Sequence, residues 1–386
     1  MNSQRKQMFL SPEASPNYSL IGLAGSRNRL ATPALVVDLE AMERNIARVA
    51  SLSRERDVSI RPHVKTHKCS EIARRQLAAG AVGLCCAKLG EAEAMADAGI
   101  EHLLITSPIV TPMALSRLLD LNDRIAALMV VVDNPSNVTD LEAIAKTHSK
   151  PIKLLVDLDV GLHRTGIKPG AQAIALALQI VQAENLEFAG LQAYAGHLMH
   201  LETAEERRAK SHEALSLMAG VRDALRGEGV ECPILTGGGT GTVECDPQAG
   251  ILTDIQVGSY VFMDRQYNDI EFEATPFETS LCVQMSVISA NAPGLATTDA
   301  GFKSFATDAG APQLMDGVPA GASYFFFGDE QGGIALPEGA RLMPGDRVSA
   351  VVPHCDPTVN LYDFLHVVRG DQLVGIWPIE ARGKSA

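Results

Sequence analysis

Long apolar runs are missing from this sequence. The longest uninterrupted one, Ile125 to Val132, has eight residues, against the roughly 20 that a membrane-spanning helix needs. Met1–Leu10 carries Arg5 and Lys6 but runs straight into Ser11, Pro12 and Glu13. No apolar signal core is read there, and a cytoplasmic protein is expected. Cysteine is sparse and unpatterned. The seven residues are an odd number, none in CxxC spacing, with Cys85 and Cys86 adjacent, which argues against a disulfide framework and for a reducing compartment. Basic charge is in deficit: 33 Lys+Arg against 46 Asp+Glu leave a net −13. That balance excludes nucleic acid and anionic membrane as bulk partners, though not one small anion in a local pocket. There is no GxxxxGK[ST] sequence, so a nucleotide P-loop is excluded.

What remains is an ordinary globular chain of 386 residues, 46% hydrophobic and 20% charged. Its length suggests two domains, at most three, and allows about three-quarters of the unfolded surface to be buried without staples. From about residue 31 to 265 short apolar runs alternate with amphipathic stretches. The runs are Ala34–Val37, Val58–Val64, Gly83–Cys86, His102–Thr106, Ala127–Val132, Lys153–Leu158, Phe188–Ala193 and Pro233–Leu235. Helix-period segments such as Leu39–Leu52, Lys88–Ala98, Asn134–Thr147 and Glu202–Arg226 lie between them,. Runs rich in Val, Ile and Leu belong to strands buried on both faces. Eight such units predict a (β/α)8 TIM-type barrel, with a doubly wound open sheet as the competitor. After Pro276 helical periodicity gives way to short runs punctuated by Gly, Pro and Asp, a mostly antiparallel β-domain. The expected division is an N-terminal extension over 1–30, a barrel over 31–270 and a β-domain over 271–386.

In a barrel, chemistry sits where strands end. The second run ends in Arg61-Pro62-His63-Val64-Lys65-Thr66-His67-Lys68. A lysine at a barrel mouth among other cations would have a depressed pKa, as a Schiff-base amine requires; a surface lysine in a basic strand end is the plainer alternative. The sixth run leads into Asp157–Gly166 with Arg164, and the seventh gives Gln192, Tyr194, His197 and His200. The eighth opens into Thr236-Gly237-Gly238-Gly239-Thr240-Gly241-Thr242, with Gly258-Ser259-Tyr260 soon after. Such loops free backbone N–H groups to wrap a phosphate, or they are simply tight corners. In the β-domain, Pro353-His354-Cys355-Asp356-Pro357-Thr358 follows a strand-like run. If the chain stays extended, His354 and Asp356 share a face. One imidazole and one carboxylate suit Mn²⁺ or Mg²⁺; a polar turn capped by Pro357 is the other reading.

Together with Thr32-Pro33-Ala34-Leu35-Val36-Val37-Asp38 and Gly258–Asp264, these segments resemble the D-threonine aldolase family, relatives of alanine racemase with the same pyridoxal-phosphate fold. The resemblance covers nearly the whole chain. It implies Lys65 as the lysine that carries pyridoxal 5'-phosphate, with Arg164, Gln192, Tyr194, Thr240, Gly241, Gly258, Ser259 and Tyr260 around the cofactor. Arg164 at the pyridine nitrogen would leave that nitrogen unprotonated, since a guanidinium cannot give up its proton. It implies His354 and Asp356 as ligands of a divalent metal, Mn²⁺ first, with Mg²⁺ or another divalent ion as alternatives. It implies His200, with His197 as second candidate, as the base at the substrate hydroxyl.

The implied activity is retro-aldol cleavage of a D-β-hydroxy amino acid, D-threonine or D-allo-threonine, to glycine and acetaldehyde by a homodimer. D-serine or D-threo-3-hydroxyaspartate dehydration and D-3-hydroxyaspartate cleavage are the alternatives. Dehydratase relatives resemble a His-x-Cys pattern where this chain has Asp356. A non-catalytic pyridoxal-phosphate carrier would lack the second domain, and a racemase would need a second base opposite Lys65. Gln331 stands where many relatives carry histidine, which leaves the preferred β-substituent open.

Overall fold

A computed structural model describes residues 11–386 apart from Ser149 and Thr275; the first ten residues of the expected N-terminal extension lie outside the described residues. Two sheets organise the chain. The first is parallel and contains β2 (Ser59–Ile60), β3 (Leu84–Cys86), β4 (His102–Ile105), β5 (Ala127–Val132), β6 (Ile152–Leu158), β7 (Leu186–Ala193), β8 (Ile234–Gly237) and β9 (Asp254–Ile255). The strands pair in the order β2-β9-β8-β7-β6-β5-β4-β3. The two edges meet through a His63–Cys85 bridge and the Cys85 N–H donating 2.8 Å to the Pro62 carbonyl. The curled sheet is the expected TIM-type barrel.

Helices return the chain between strands: α1 (Leu39–Arg56), α2 (Ser70–Ala78), α3 (Leu89–Asp97), α4 (Pro112–Arg124), α5 (Pro135–Ala145), α6 (Ala171–Gln182) and α7 (Ala204–Gly227). The first illustrates why they form. Leu39, Met42, Ile46 and Val49 recur at helical spacing and are buried,. Asp38 caps the start by accepting from the Ala41 N–H at 3.0 Å,, and the helix stops at left-handed Asp57,.

The second sheet contains β1 (Ala34–Asp38), β10 (Leu281–Ser289), β11 (Leu295–Thr298), β12 (Gln313–Leu314), β13 (Ser323–Phe326), β14 (Gly332–Ala335), β15 (Arg347–Val351), β16 (Phe364–Arg369) and β17 (Gln372–Pro378). All of its pairings are antiparallel except β1 with β16. Here the sequence reading needs correction. The run Ala34–Val37, expected as the first barrel strand, lies between β10 and β16 in the second sheet. Its Leu35 and Val37 join the large core, while Ala34 and Val36 pack with Leu30, Cys282 and Leu373. A strand buried on both faces reads alike in either sheet. The barrel is completed instead by β9, two residues long and too short to show a period. Helical structure also does not vanish after residue 276: Cys355–Val359 forms a short helix.

Residues 11–31 lie along the β16–β17 hairpin, where the Gly22 and Arg27 N–H groups donate to the Leu373 and Asp371 carbonyls at 2.8 and 2.9 Å. Among the described residues no helix is long and apolar enough to cross a membrane.

Candidate active site

The C-terminal ends of the barrel strands surround a cavity of about 620 Å³, the place this architecture reserves for chemistry. Lys65, Arg164, Gln192, Tyr194, Thr240, Gly258 and Ser259 all line it, as read from the strand ends. Lys65 occupies a short turn, Val64–Thr66, reached from β2 through Arg61, Pro62 and His63. Its backbone N–H donates 3.3 Å to His63 Nδ1, and the opposite ring nitrogen of His63 lies 3.1 Å from Thr106 Oγ1. Burial, then the adjacent Lys65 cation, pushes the His63 imidazole well below its ordinary pKa, so this ring faces the cavity uncharged.

The charge on Lys65 corrects the expectation. Burial alone would push the ammonium down, but Asp356 and then Tyr194 outweigh it, and the pKa stands above the ordinary lysine value. Lys65 Nζ forms an ion pair with Asp356 Oδ1. For the carboxylate, burial raises the pKa, but Lys65 outweighs it and holds Asp356 well below the usual carboxylate range. The neighbouring cations of the motif are engaged elsewhere: Arg61 with Asp254 and Lys68 with Glu91.

His354 and Asp356 do not share a face of an extended strand, which corrects the second geometric expectation. His354 is extended, but Asp356 lies in the first turn of α9 (Cys355–Val359), the ninth helix after the short α8 (Arg265–Asn268). The turn is clamped from the barrel side by Asp264, whose Oδ2 accepts from the Cys355 N–H at 2.8 Å. His354 Nδ1 lies 2.6 Å from Asp308 Oδ2. No group of three or more metal-ligating side chains exists among the described residues.

The two histidine candidates separate. His200 packs against Tyr267, ring centroids 4.6 Å apart, and Tyr267 lines the cavity. His200 itself is exposed and does not line the cavity; partial desolvation first, then the fields of His354 and Lys65, lower its pKa, which favours the neutral ring. His197 lies instead in a separate hollow with Leu198, Leu201, Lys210 and Leu217.

The glycine-rich loop behaves as a cradle. Thr240–Thr242 and Ser259–Val261 are short 3₁₀ turns. The N–H groups of Gly241 and Ser259 donate to no protein acceptor among the described residues. A Cβ on Gly241 would come within 2.1 Å of the Met199 carbonyl oxygen, and one on Gly258 within 2.7 Å of Thr66 Oγ1, so only glycine allows this close approach. Tyr260 contributes backbone alone: its N–H donates 3.0 Å to Thr240 Oγ1, while its ring is fully buried and its hydroxyl accepts from Gln76 Nε2 at 3.0 Å. Beneath the mouth, Gln192 Nε2 donates 2.9 Å to Asp157 Oδ1 and Gln256 Nε2 donates 3.0 Å to Gln192 Oε1. Arg164 stacks over the Tyr194 ring at 5.3 Å.

Sequence reasoning missed His63, Thr106, Asp133, Gln256 and Tyr267, all in the cavity wall. Thr106 is the last residue of the run His102–Thr106 and Asp133 directly follows the run Ala127–Val132, at the ends of the strands observed there, so the strand-end rule applied to every run would have found them. Asp308 carries no such signal. Gln331 sits in the β13–β14 turn and does not line the cavity.

Comparison with known proteins agrees with this layout. Residues 37–266 match the alanine racemase N-terminal domain, and residues 280–368 match a putative serine dehydratase domain. The chain is 40% identical to a D-threonine aldolase from Arthrobacter sp over 97% of both chains. It is 34% identical to a 3-hydroxy-D-aspartate aldolase from Paracoccus denitrificans, over 95% of this chain and 96% of that one. The solved D-threonine aldolase from Filomicrobium marinum superposes with a TM-score of 0.90 at 38% identity, covering 93% of this chain and 97% of the other.

Proposed function

Because the chain belongs to the D-threonine aldolase family of alanine racemase-like enzymes and is a carbon–carbon lyase of that type, we propose that it cleaves D-threonine and D-allo-threonine to glycine and acetaldehyde. The observation that carries this reading is the meeting of Lys65 with Asp356, a carboxylate delivered from the other domain. Dehydratase relatives resemble a thiol at that position. Here that position is Asp356, and the nearest thiol, Cys355, is fully buried, with burial raising its pKa well above the ordinary value.

The residues present fit pyridoxal phosphate. A lysine stands on the cavity wall, and two unpaired N–H groups flank a cradle that a Cβ would obstruct. Lys65 would hold the cofactor covalently, with Gly241, Ser259 and Thr240 at its phosphate and Tyr194 and Arg164 at its ring. Bound there, the cofactor supplies the electron sink for breaking the Cα–Cβ bond. The donor set also fits a divalent ion. Asp356 is ionised, and His354, with Nδ1 engaged by Asp308, has Nε2 to offer,. Mn²⁺ suits this N/O pair, Mg²⁺ less so, and either would act as a Lewis acid.

The chain's own part is to orient and to move protons. Neutral His200 accepts the proton of the substrate β-hydroxyl. Lys65, freed of its covalent partner, is the amine placed to return a proton at the α-carbon. Neutral His63 and buried Gln192 bound the site with groups that stay uncharged. The same proposal includes a homodimer, checked by light scattering.

One observation favours a second substrate. Lys88 lines the cavity and pairs with no acidic side chain among the described residues, a feature suited to a carboxylated β-substituent such as that of 3-hydroxy-D-aspartate. The test adds Mn²⁺ to chelated enzyme with D-threonine. Glycine and acetaldehyde are expected; 2-oxobutanoate and ammonia would reject the aldolase in favour of a dehydratase. A parallel kcat/KM with 3-hydroxy-D-aspartate, read as glyoxylate, ranks the two substrates.

A further inference from the structure

The loop ending at Asp308 docks on the turn that carries His354. Asp308 Oδ2 lies 2.6 Å from His354 Nδ1. Two residues earlier, the Ala306 N–H donates 3.0 Å to Thr358 Oγ1, and Thr358 Oγ1 donates 2.7 Å to the His354 carbonyl. The imidazole is therefore gripped at its ring and at its backbone, while Asp264 holds the next N–H. A carboxylate can only accept, so Nδ1 carries a proton, and the neutral tautomer compatible with this contact has its lone pair on Nε2.

The side chain of Asp308 is 54% exposed and that of His354 28%. A contact so open contributes little to stability, and the fold alone gives no reason for it. Aim does give one. A ring pinned through Nδ1 has one tautomer and one orientation, the arrangement by which carboxylates direct metal-binding histidines. We propose that Asp308 is a positioning residue that sets the tautomer and direction of His354, so that Nε2 is the nitrogen presented to the divalent ion. The inference rests on the reading of His354 as a metal ligand.

The test is Mn²⁺ binding to the full-length protein loaded with pyridoxal phosphate, measured by the electron paramagnetic resonance of free Mn²⁺. Visible absorbance and circular dichroism confirm cofactor occupancy and fold for each variant. Asp308→Ala is expected to weaken binding about 10- to 100-fold. Asp308→Asn should weaken it less than Asp308→Ala does, because an amide oxygen still accepts from Nδ1–H. A loss below about fivefold in Asp308→Ala overturns the proposal. So does an Asp308→Asn protein as impaired as His354→Ala, since Asp308 would then be a ligand itself. Mn²⁺ bound equally well by His354→Ala would instead overturn the underlying assignment of His354, whatever Asp308 does.

Discussion

Asp246 is a buried carboxylate without a cation. It is 1% exposed and accepts from Ser211 Oγ and, at 2.5 Å, from Thr242 Oγ1. Burial pushes its pKa from the ordinary 3.8 up to about 6, against the opposing pull of Ser211 and then Thr242. Each pH unit of separation corresponds to about 1.36 kcal/mol, so the full effect is about 3 kcal/mol. The sign follows from proton uptake. The folded state binds the proton more tightly than the unfolded chain, so stability is greatest below pH 4, falls as pH rises toward 6 and is flat beyond. Asn cannot ionise and resembles the protonated form; its amide needs only Ser211 to turn, since Thr242 Oγ1 already accepts from the Gly239 N–H. Asp246→Asn should therefore gain about 2 kcal/mol relative to wild type between pH 4.5 and 7.5, the share of the total that falls in that window. Urea denaturation of cofactor-free wild type and variant at both pH values measures this double difference, in which all other titrations cancel. A double difference below about 1 kcal/mol, or of opposite sign, would refute the reasoning. The carboxylate also lies under the glycine-rich loop, where a Cβ on Gly238 would meet Asp246 Oδ2 at 2.3 Å. Removing its charge should leave pyridoxal phosphate bound at least as tightly.

Lys65→Ala should abolish the adduct that borohydride fixes in the cofactor-loaded protein; a surviving adduct would point to another lysine. His200→Gln is expected to lower kcat by about 10²- to 10⁴-fold, the usual contribution of a positioned base, whereas His197→Gln should barely change it; steady-state acetaldehyde release checks both. Asp254→Ala strands Arg61, whose Nη2 lies 3.1 Å from Asp254 with both side chains almost wholly buried, and should cost about 3–5 kcal/mol by urea unfolding. Replacing both partners by apolar residues, Arg61→Met with Asp254→Val, should recover part of that loss. Gly241→Ala must displace the Met199 carbonyl, and a pyridoxal-phosphate titration should show weaker binding with unchanged circular dichroism.

The parts of the fold legible in the sequence are those where periodicity and topology say the same thing. Strands β4 to β7 are apolar runs at the centre of a parallel sheet, and their expected and observed limits differ by two residues at most. Ala34–Val37 has the same pattern in the other sheet, because burial on both faces writes the pattern and the neighbouring strand does not. Strand β9 is two residues long and cannot show a period of two. In the candidate site, strand-end position points to Lys65, Arg164, Gln192, Tyr194 and Thr240, all of which line the cavity. The charge state of Lys65 was not legible, since its partner Asp356 lies 291 residues away. Local neighbours suggested a cation among cations; tertiary structure pairs each with its own carboxylate. Asp308 escaped for the same reason, being a loop residue whose partner is 46 positions away.

The misplaced first strand also explains how two domains can hold one site. With β1 in the β-domain, the chain crosses between domains twice: once from β1 into α1, and again before β10. The second crossing is laced, with the Asp38 N–H donating 2.8 Å to the Ser280 carbonyl and the Ser280 N–H donating 2.8 Å to the Phe262 carbonyl. A few residues on, the Arg265 N–H reaches the Val352 carbonyl at 3.1 Å, and Asp264 takes the Cys355 N–H. Two crossings and these bonds constrain orientation as well as distance, whereas a single linker would constrain distance alone. Lys65 on the barrel can thus meet Asp356 on the β-domain without a closing motion. A substrate would bind between groups already in place, the arrangement that catalysis by preorganisation requires.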